Sequence, residues 1–298
     1  MKNINIYLLK GFIIIFCSFF AFQVPSFATS STSKKTKVMV KPSTLVPGGV
    51  GLVKIFTPDK KVRLKKITFR GNDIPFFFKD DCYIALIGAG LKVKKGEKKL
   101  IIKLDENGQE RIIIRNIPIK DKIYPKEYLK VPKKMASFSK PILKRVLADQ
   151  KAIKKACSNI TEEIYWHGKF IWPVPKRITS PFGLRRYFNG EPRSPHSGVD
   201  LKAPLGTNLK APNNGKVALL RNCYLSGLTL VIDHGGGLFT LYAHLDKSFV
   251  KMGDKVKKGQ ILGLTGSSGR ITGPHLHYGI SLLGERVDPK AFMALMGK

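Results

Sequence analysis

Between Thr36 and about Lys130 the chain alternates apolar and polar residues in short runs, and a period of two commits such a segment to β-strands. The runs are Lys37 to Val40, Leu52 to Thr57, Val62 to Phe69, Tyr83 to Ile87, Leu100 to Leu104 and Arg111 to Arg115. Turn signals separate them: Pro47-Gly48-Gly49, Pro58-Asp59, Gly71-Asn72, Lys95-Gly96 and Asn107-Gly108. About six or seven strands at roughly 8–12-residue spacing predict an immunoglobulin-like β-sandwich. The segment holds no histidine and no catalytic cluster, so any chemistry belongs further along the chain.

The period changes once. Ile142, Leu143, Val146, Leu147 and Ile153 fall at helical spacing within Pro141 to Ala156; Ser139 stands where it can cap the start, and Pro141 suits the first turn. This predicts one amphipathic helix that joins two halves, packing its apolar stripe while its lysines stay solvated. From about Trp172 the β-pattern returns, with turns at Asn213-Asn214-Gly215, Gly235-Gly236-Gly237 and Gly266-Ser267-Ser268-Gly269. Leu228 to Asp233 and Leu238 to Ala243 read as a hairpin around the triple glycine. The expected fold class is mainly β: an N-terminal immunoglobulin-like β-sandwich over residues 29–130, a short helical linker over 131–170, and a C-terminal antiparallel β-sheet domain over 171–298.

Residues 1–28 read as a secretory signal peptide: Lys2 and Lys10 precede the apolar run Gly11 to Phe22, and Ser26-Phe27-Ala28 offers a cleavage site. The run falls short of the about 20 residues that a membrane-spanning helix needs. Beyond Ala28 the cysteines are Cys82, Cys157 and Cys223, an odd and scattered set that makes no disulfide framework. Lys and Arg number 53 against 20 Asp and Glu, a formal charge of +33, so the protein meets polyanions readily. The excess is spread along the chain without a basic arm or a binding motif, which argues against specific nucleic-acid recognition.

Chemistry concentrates in the last third. In Gly273 to Ile280, residues two apart share a strand face, so His275 and His277 point one way while Leu276, Tyr278 and Ile280 point the other. His196 and Asp200 lie in Pro195-His-Ser-Gly-Val-Asp200, an imidazole and a carboxylate of the kind zinc accepts. His244 ends the run Leu241 to Leu245, where alternation places Tyr242 and His244 on the same face. A catalytic zinc needs three protein ligands and an open position. Four histidines and one aspartate satisfy that and leave two histidines over.

In that order, H-x-x-x-D, then Y-x-H-L, then H-L-H resemble the lysostaphin and LytM type of zinc metallopeptidases, which cleave peptidoglycan peptides. The resemblance runs from about Pro173 to Phe292 and takes in Ile178 to Arg185, Lys257 to Gly263 and Val287-Asp-Pro289. It implies a groove of antiparallel strands with Zn²⁺ at its floor, held by His196, Asp200 and His277, with His244 and His275 as the catalytic histidines beside it. It further implies peptidoglycan as the substrate; together with the signal peptide the expectation is an exported, periplasmic or cell-wall-associated protein, whose positive charge makes anionic wall polymers or a membrane surface further contacts. The departures are Gly279, where an acidic residue often follows the aromatic, and Pro181 within the Ser-x-Phe-Gly segment. The rival reading is a non-catalytic wall-binding or hydrolase-activating module, which the complete set of motif positions disfavours. Outside the set, Arg185 and Arg186 offer guanidinium groups to substrate carboxylates or to solvent, His234 suits support of the hairpin turn, and His167 a packing or surface position.

Overall fold

The computed structural model describes residues 35–59, 61–132 and 137–297. The signal-peptide assignment over residues 1–28 lies outside the described residues. The first half forms two four-stranded antiparallel sheets from β1 (Lys37–Lys41), β2 (Val50–Phe56), β3 (Val62–Phe69), β4 (Asn72–Asp73), β5 (Phe76–Lys79), β6 (Cys82–Gly88), β7 (Gly96–Glu106) and β8 (Gln109–Ile119). One sheet runs β1-β2-β6-β5 and the other β4-β3-β7-β8. Their inward residues, among them Val53, Ile55 and Ile87 from the first and Ile67, Leu100, Ile102 and Ile117 from the second, meet in one apolar core.

Each expected run falls on an observed strand, with Thr57 just past the end of β2, but β7 and β8 reach 11 residues apiece. Their ladder continues through charged residues because Asn107 and Gly108, with φ of 56° and 85°, form a tight turn whose twist suits a long hairpin. The pattern does not announce β5: Phe76, Phe77 and Phe78 are consecutive aromatics without a period of two.

A short strand, β9 (Lys126–Leu129), leaves the first half to pair in parallel with β11 (Arg185–Phe188), and β12 (Glu191–Pro192) completes that three-stranded sheet. Between them runs α1 (Lys140–Ala156). Ser139 occupies the N-cap position but its side chain makes no capping hydrogen bond. The stripe also differs from the one its spacing suggests: Leu143 and Leu147 are exposed, while Val146 and Asp149 are buried. Asp149 tolerates burial because its carboxylate accepts from the Arg221 guanidinium at 2.7 Å and from the Tyr224 N–H at 2.8 Å.

The second half is built on a ten-stranded sheet. Its strands are β10 (Ile178–Ser180), β13 (Val199–Leu201), β14 (Asn208–Lys210), β15 (Gly215–Cys223), β16 (Gly227–Asp233), β17 (Leu238–Ser248), β18 (Lys255–Val256), β19 (Ile261–Thr265), β20 (Leu276–Leu282) and β21 (Glu285–Val287). The central order is β10-β13-β20-β17-β16-β15-β18, with β19 pairing β14 and β17 and β21 pairing β20. The turn from β16 to β17 is the triple glycine, all three residues with positive φ. One face of this sheet, which carries Tyr242 and Tyr278, packs on α2 (Pro289–Met296) through Phe292 and on Phe170. Val50, Leu86 and Tyr124 of the first half belong to the same apolar cluster, so the core is continuous across the halves. No helix of the described residues is long and apolar enough to cross a membrane.

Candidate metal centre

Strand register brings the site together. Asp200 on β13 and Ala243 on β17 both pair with His277 on β20, so the Asp200 and His277 side chains project from the same face. His196 enters from the loop before β13, pinned by backbone bonds from its N–H to Leu184 O at 3.0 Å and from Gly183 N–H to its own carbonyl at 2.8 Å. Gly198 lets the loop pass close beneath: a Cβ there would meet the Tyr278 carbonyl and would lie 2.8 Å from His277 Nε2.

His196 Nε2, Asp200 Oδ1 and His277 Nδ1 form a triangle with all three edges 3.0 Å long. Nitrogen and oxygen donors at about 2.0–2.1 Å around a tetrahedral zinc stand about 3.3–3.4 Å from one another, so the triangle is close to the size that ion needs. Two imidazoles and one carboxylate are also the donor chemistry of a zinc site, and these three residues form a metal-compatible group. Burial by itself raises the Asp200 carboxyl, but hydrogen bonds and charge from His196 and His277 outweigh it and hold the group well below the usual carboxylate range. Burial pushes His277 down, opposed by its bond to Asp200. The anionic carboxylate and neutral imidazole are the forms that ligate metal. The His196 Nδ1–H donates to the Pro181 carbonyl at 2.9 Å, which turns the Nε2 lone pair toward the site.

Two further imidazoles stand beside the triangle. His275 Nε2 lies 3.7 Å from Asp200 Oδ1, and the His244 ring lies 4.9 Å from that of His275 and 6.4 Å from that of His277. His244 departs from simple alternation. Tyr242 faces the core and stacks on Tyr278, whereas His244 faces the metal donors. A β-bulge causes the switch: Leu230 pairs with Tyr242 and Leu228 with Leu245, so β17 carries one extra residue there. His244 takes the left-handed conformation, φ 64°, and its N–H donates to Ser226 O at 2.9 Å. Burial pushes its imidazole down to about 4, against the hydrogen bond to the Ser268 carbonyl.

The structure thus brings all five expected residues to one place; the other residues that the sequence singles out do not join the donor group. Arg186 is engaged within the protein: its Nε donates to Glu127 Oε2 at 2.8 Å and its Nη2 to Ser180 Oγ at 3.2 Å, and Ser180 Oγ lies 3.3 Å from His196 Nδ1. His234 is fully buried between Asn214 O at 2.6 Å and Thr240 Oγ1 at 2.8 Å, below the hairpin turn. His167 is exposed. The carbonyls that orient the imidazoles, those of Pro181, Ser268 and Gly273, escape sequence reasoning because a backbone acceptor carries no residue-type signal.

All five expected residues fall within a segment that a protein-family profile matches. The sequence profile described as Peptidase family M23 matches residues 194–289. Peptidoglycan DD-endopeptidase ShyA of Vibrio cholerae serotype O1 is 43% identical over 113 residues, 38% of this chain and 26% of that protein. DD-carboxypeptidase/endopeptidase Mpg of Neisseria meningitidis serogroup B is 39% identical over 116 residues, 39% of this chain and 27% of that protein. The chain therefore spans about a quarter of the length of these curated relatives. A crystal structure from Pseudomonas aeruginosa assigned to peptidase M23 superposes with a TM-score of 0.64 at 28% identity, covering 83% of this chain and 94% of that one. With the profile match and the fold in agreement, residues 194–289 are a domain of peptidase family M23.

Proposed function

We propose that this chain is an exported zinc metalloendopeptidase that hydrolyses amide bonds in the peptide cross-links of peptidoglycan. The observation that carries the reading is the 3.0 Å triangle of His196, Asp200 and His277 with two oriented imidazoles at its side. The activities named for the two curated relatives support the substrate class.

In this reading His196, Asp200 and His277 hold Zn²⁺. When bound, the ion supplies Lewis acidity, polarising the scissile carbonyl and lowering the pKa of a water to near neutrality. His244 and His275 are the catalytic pair. Each donates its Nδ1–H to a backbone carbonyl, Ser268 at 2.9 Å and Gly273 at 2.8 Å, which leaves both Nε2 lone pairs for the reaction. Held with Nε2 basic, the pair takes a proton from the attacking water and returns it to the leaving amine. The buried floor of Leu241, Ala243 and Val231 keeps bulk water from one side of the site.

The organisation that fits is a signal peptide over residues 1–28, an N-terminal immunoglobulin-like sandwich over 29–130, a helical linker over 131–170 and the peptidase domain over 171–298. The strand orders β1-β2-β6-β5 and β4-β3-β7-β8 support the immunoglobulin-like assignment. Export to the periplasm or cell wall follows from the signal peptide and the substrate. The charge of +33 favours contact with anionic wall polymers or a membrane surface, an attraction that salt weakens.

Clearing of a suspension of purified sacculi tests the reading. The zinc-loaded protein is expected to clear it, a chelator to stop the clearing, and added zinc to restore it, with His277→Ala inert throughout. A zinc-loaded, folded protein that leaves sacculi intact would refute the proposal.

A further inference from the structure

Arg286 lies on β21 opposite Ser281, on the face of β20 that also carries His277 and Gly279. Gly279 has no side chain to fill the space next to His277, and the guanidinium takes it: Arg286 Nη1 stands 3.4 Å from where a Cβ on Gly279 would sit. The carbonyl of Ser197, beside the metal donor His196, is 3.7 Å from the same point. Arg286 is therefore beside His277, on the sheet face that carries the triangle.

Among the described residues no carboxylate pairs with Arg286; the adjacent Glu285 is committed elsewhere, accepting from Arg70 Nη1 at 2.8 Å and from the Gly90 N–H at 2.7 Å. Asp200 is taken up by His196 and His277. Burial pushes the guanidinium below its usual range, and only the Cys157 thiol opposes this. Cys157 caps α1 and packs with Val231, Phe239, Leu241 and Ala243 on the same sheet face, so α1 closes the floor beyond Arg286. A partly desolvated cation without a partner costs free energy that a bound anion offsets.

We propose that Arg286 forms a carboxylate subsite that binds the free α-carboxylate of the residue following the scissile amide. The inference rests on the peptidase reading and narrows its substrate: an amide whose nitrogen-side residue carries a free carboxylate, whether at a chain end or within a cross-link. The chemistry fits the position. Only the α-carbon separates the amide nitrogen from that carboxylate, so a carbonyl at the metal places the anion beside it. A guanidinium fork then grips the carboxylate through two parallel hydrogen bonds, which a lysine cannot reproduce.

The test uses one cross-linked muropeptide dimer in two forms, with the carboxylate next to the scissile amide free or amidated. The wild-type full chain is expected to show at least tenfold higher kcat/KM on the free form. Arg286→Gln is expected to lose that preference by slowing only the free form, and Arg286→Lys to keep part of it, with circular dichroism and zinc content unchanged in both. Equal rates of the wild type on the two forms, or an equal loss on both in Arg286→Gln, would overturn the proposal. Non-cleavable reduced-amide analogues of both forms read the contact without turnover, by calorimetry. Tighter binding of the free analogue, abolished in Arg286→Gln, supports the subsite even where the wild type cuts neither dimer and the peptidase reading falls. Equal binding of the two analogues overturns the subsite and leaves the peptidase reading to its own test.

Discussion

His244 and His275 stand with ring centroids 4.9 Å apart, and each gives its Nδ1–H to a backbone carbonyl, so Nε2 is the nitrogen that carries the lone pair in both rings. Neither ring belongs to the 3.0 Å triangle. Replacing either histidine with alanine should therefore leave zinc content near one ion per chain while turnover falls by about 10²–10⁴-fold. Metal analysis beside a rate measurement checks this, and loss of zinc from either variant would move that residue into the ligand set.

Gly198 is where a single methyl group reaches the metal site. A Cβ there would press on the Tyr278 carbonyl and come within 2.8 Å of His277 Nε2, so the ring must shift. Gly198→Ala should weaken zinc binding on the order of tenfold or more. Competition with a chelator of known affinity measures it; unchanged affinity would show that the ring is not tightly held.

The site was legible where the strand period is regular and illegible where it breaks. Asp200 and His277 sit on β13 and β20 without interruption, so alternation alone places their side chains. His244 could be found by type but not placed, because one extra residue in β17 reverses its face. Arg186 and Arg286 look alike in the sequence; only folding pairs the first with Glu127 and leaves the second without a carboxylate among the described residues. On α1 the spacing gave the helix but not its buried face, since the partners that make Asp149 tolerable lie more than 70 residues away.

Asp149 ties α1 to the end of the β15–β16 hairpin, whose loop accepts the His244 N–H at Ser226 O. Asp149→Ala leaves the Tyr224 N–H without its acceptor and should cost about 1–2 kcal/mol. Asp149→Asn keeps an oxygen for that N–H and should cost less. Thermal unfolding, with hydrogen exchange at the Tyr224 amide, separates the variants; two variants as stable and as protected as wild type would show that the contact is idle.

His234 makes stability depend on pH. Burial pushes its imidazole down to about 4 in the folded protein, against about 6.5 unfolded. The unfolded state thus binds the extra proton first, and the contribution is whole above pH about 6.5 and falls away toward about 4. The full shift corresponds to about 3 kcal/mol. His234→Asn should be less stable at neutral pH but show a shallower decline across that window. Denaturation curves taken from pH 7 to pH 4 decide the matter, and parallel declines for the two proteins would contradict the assignment.

The most direct measurement is mass spectrometry of the soluble fragments released when the zinc-loaded protein digests purified sacculi, with His277→Ala as the control. The account predicts cross-linked muropeptides converted to monomers by hydrolysis of an amide in the peptide bridge, with the glycan strands intact and no such products from the control. Fragments cut only in the glycan, or the same monomers released by His277→Ala, would contradict a peptidase that works through His196, Asp200 and His277.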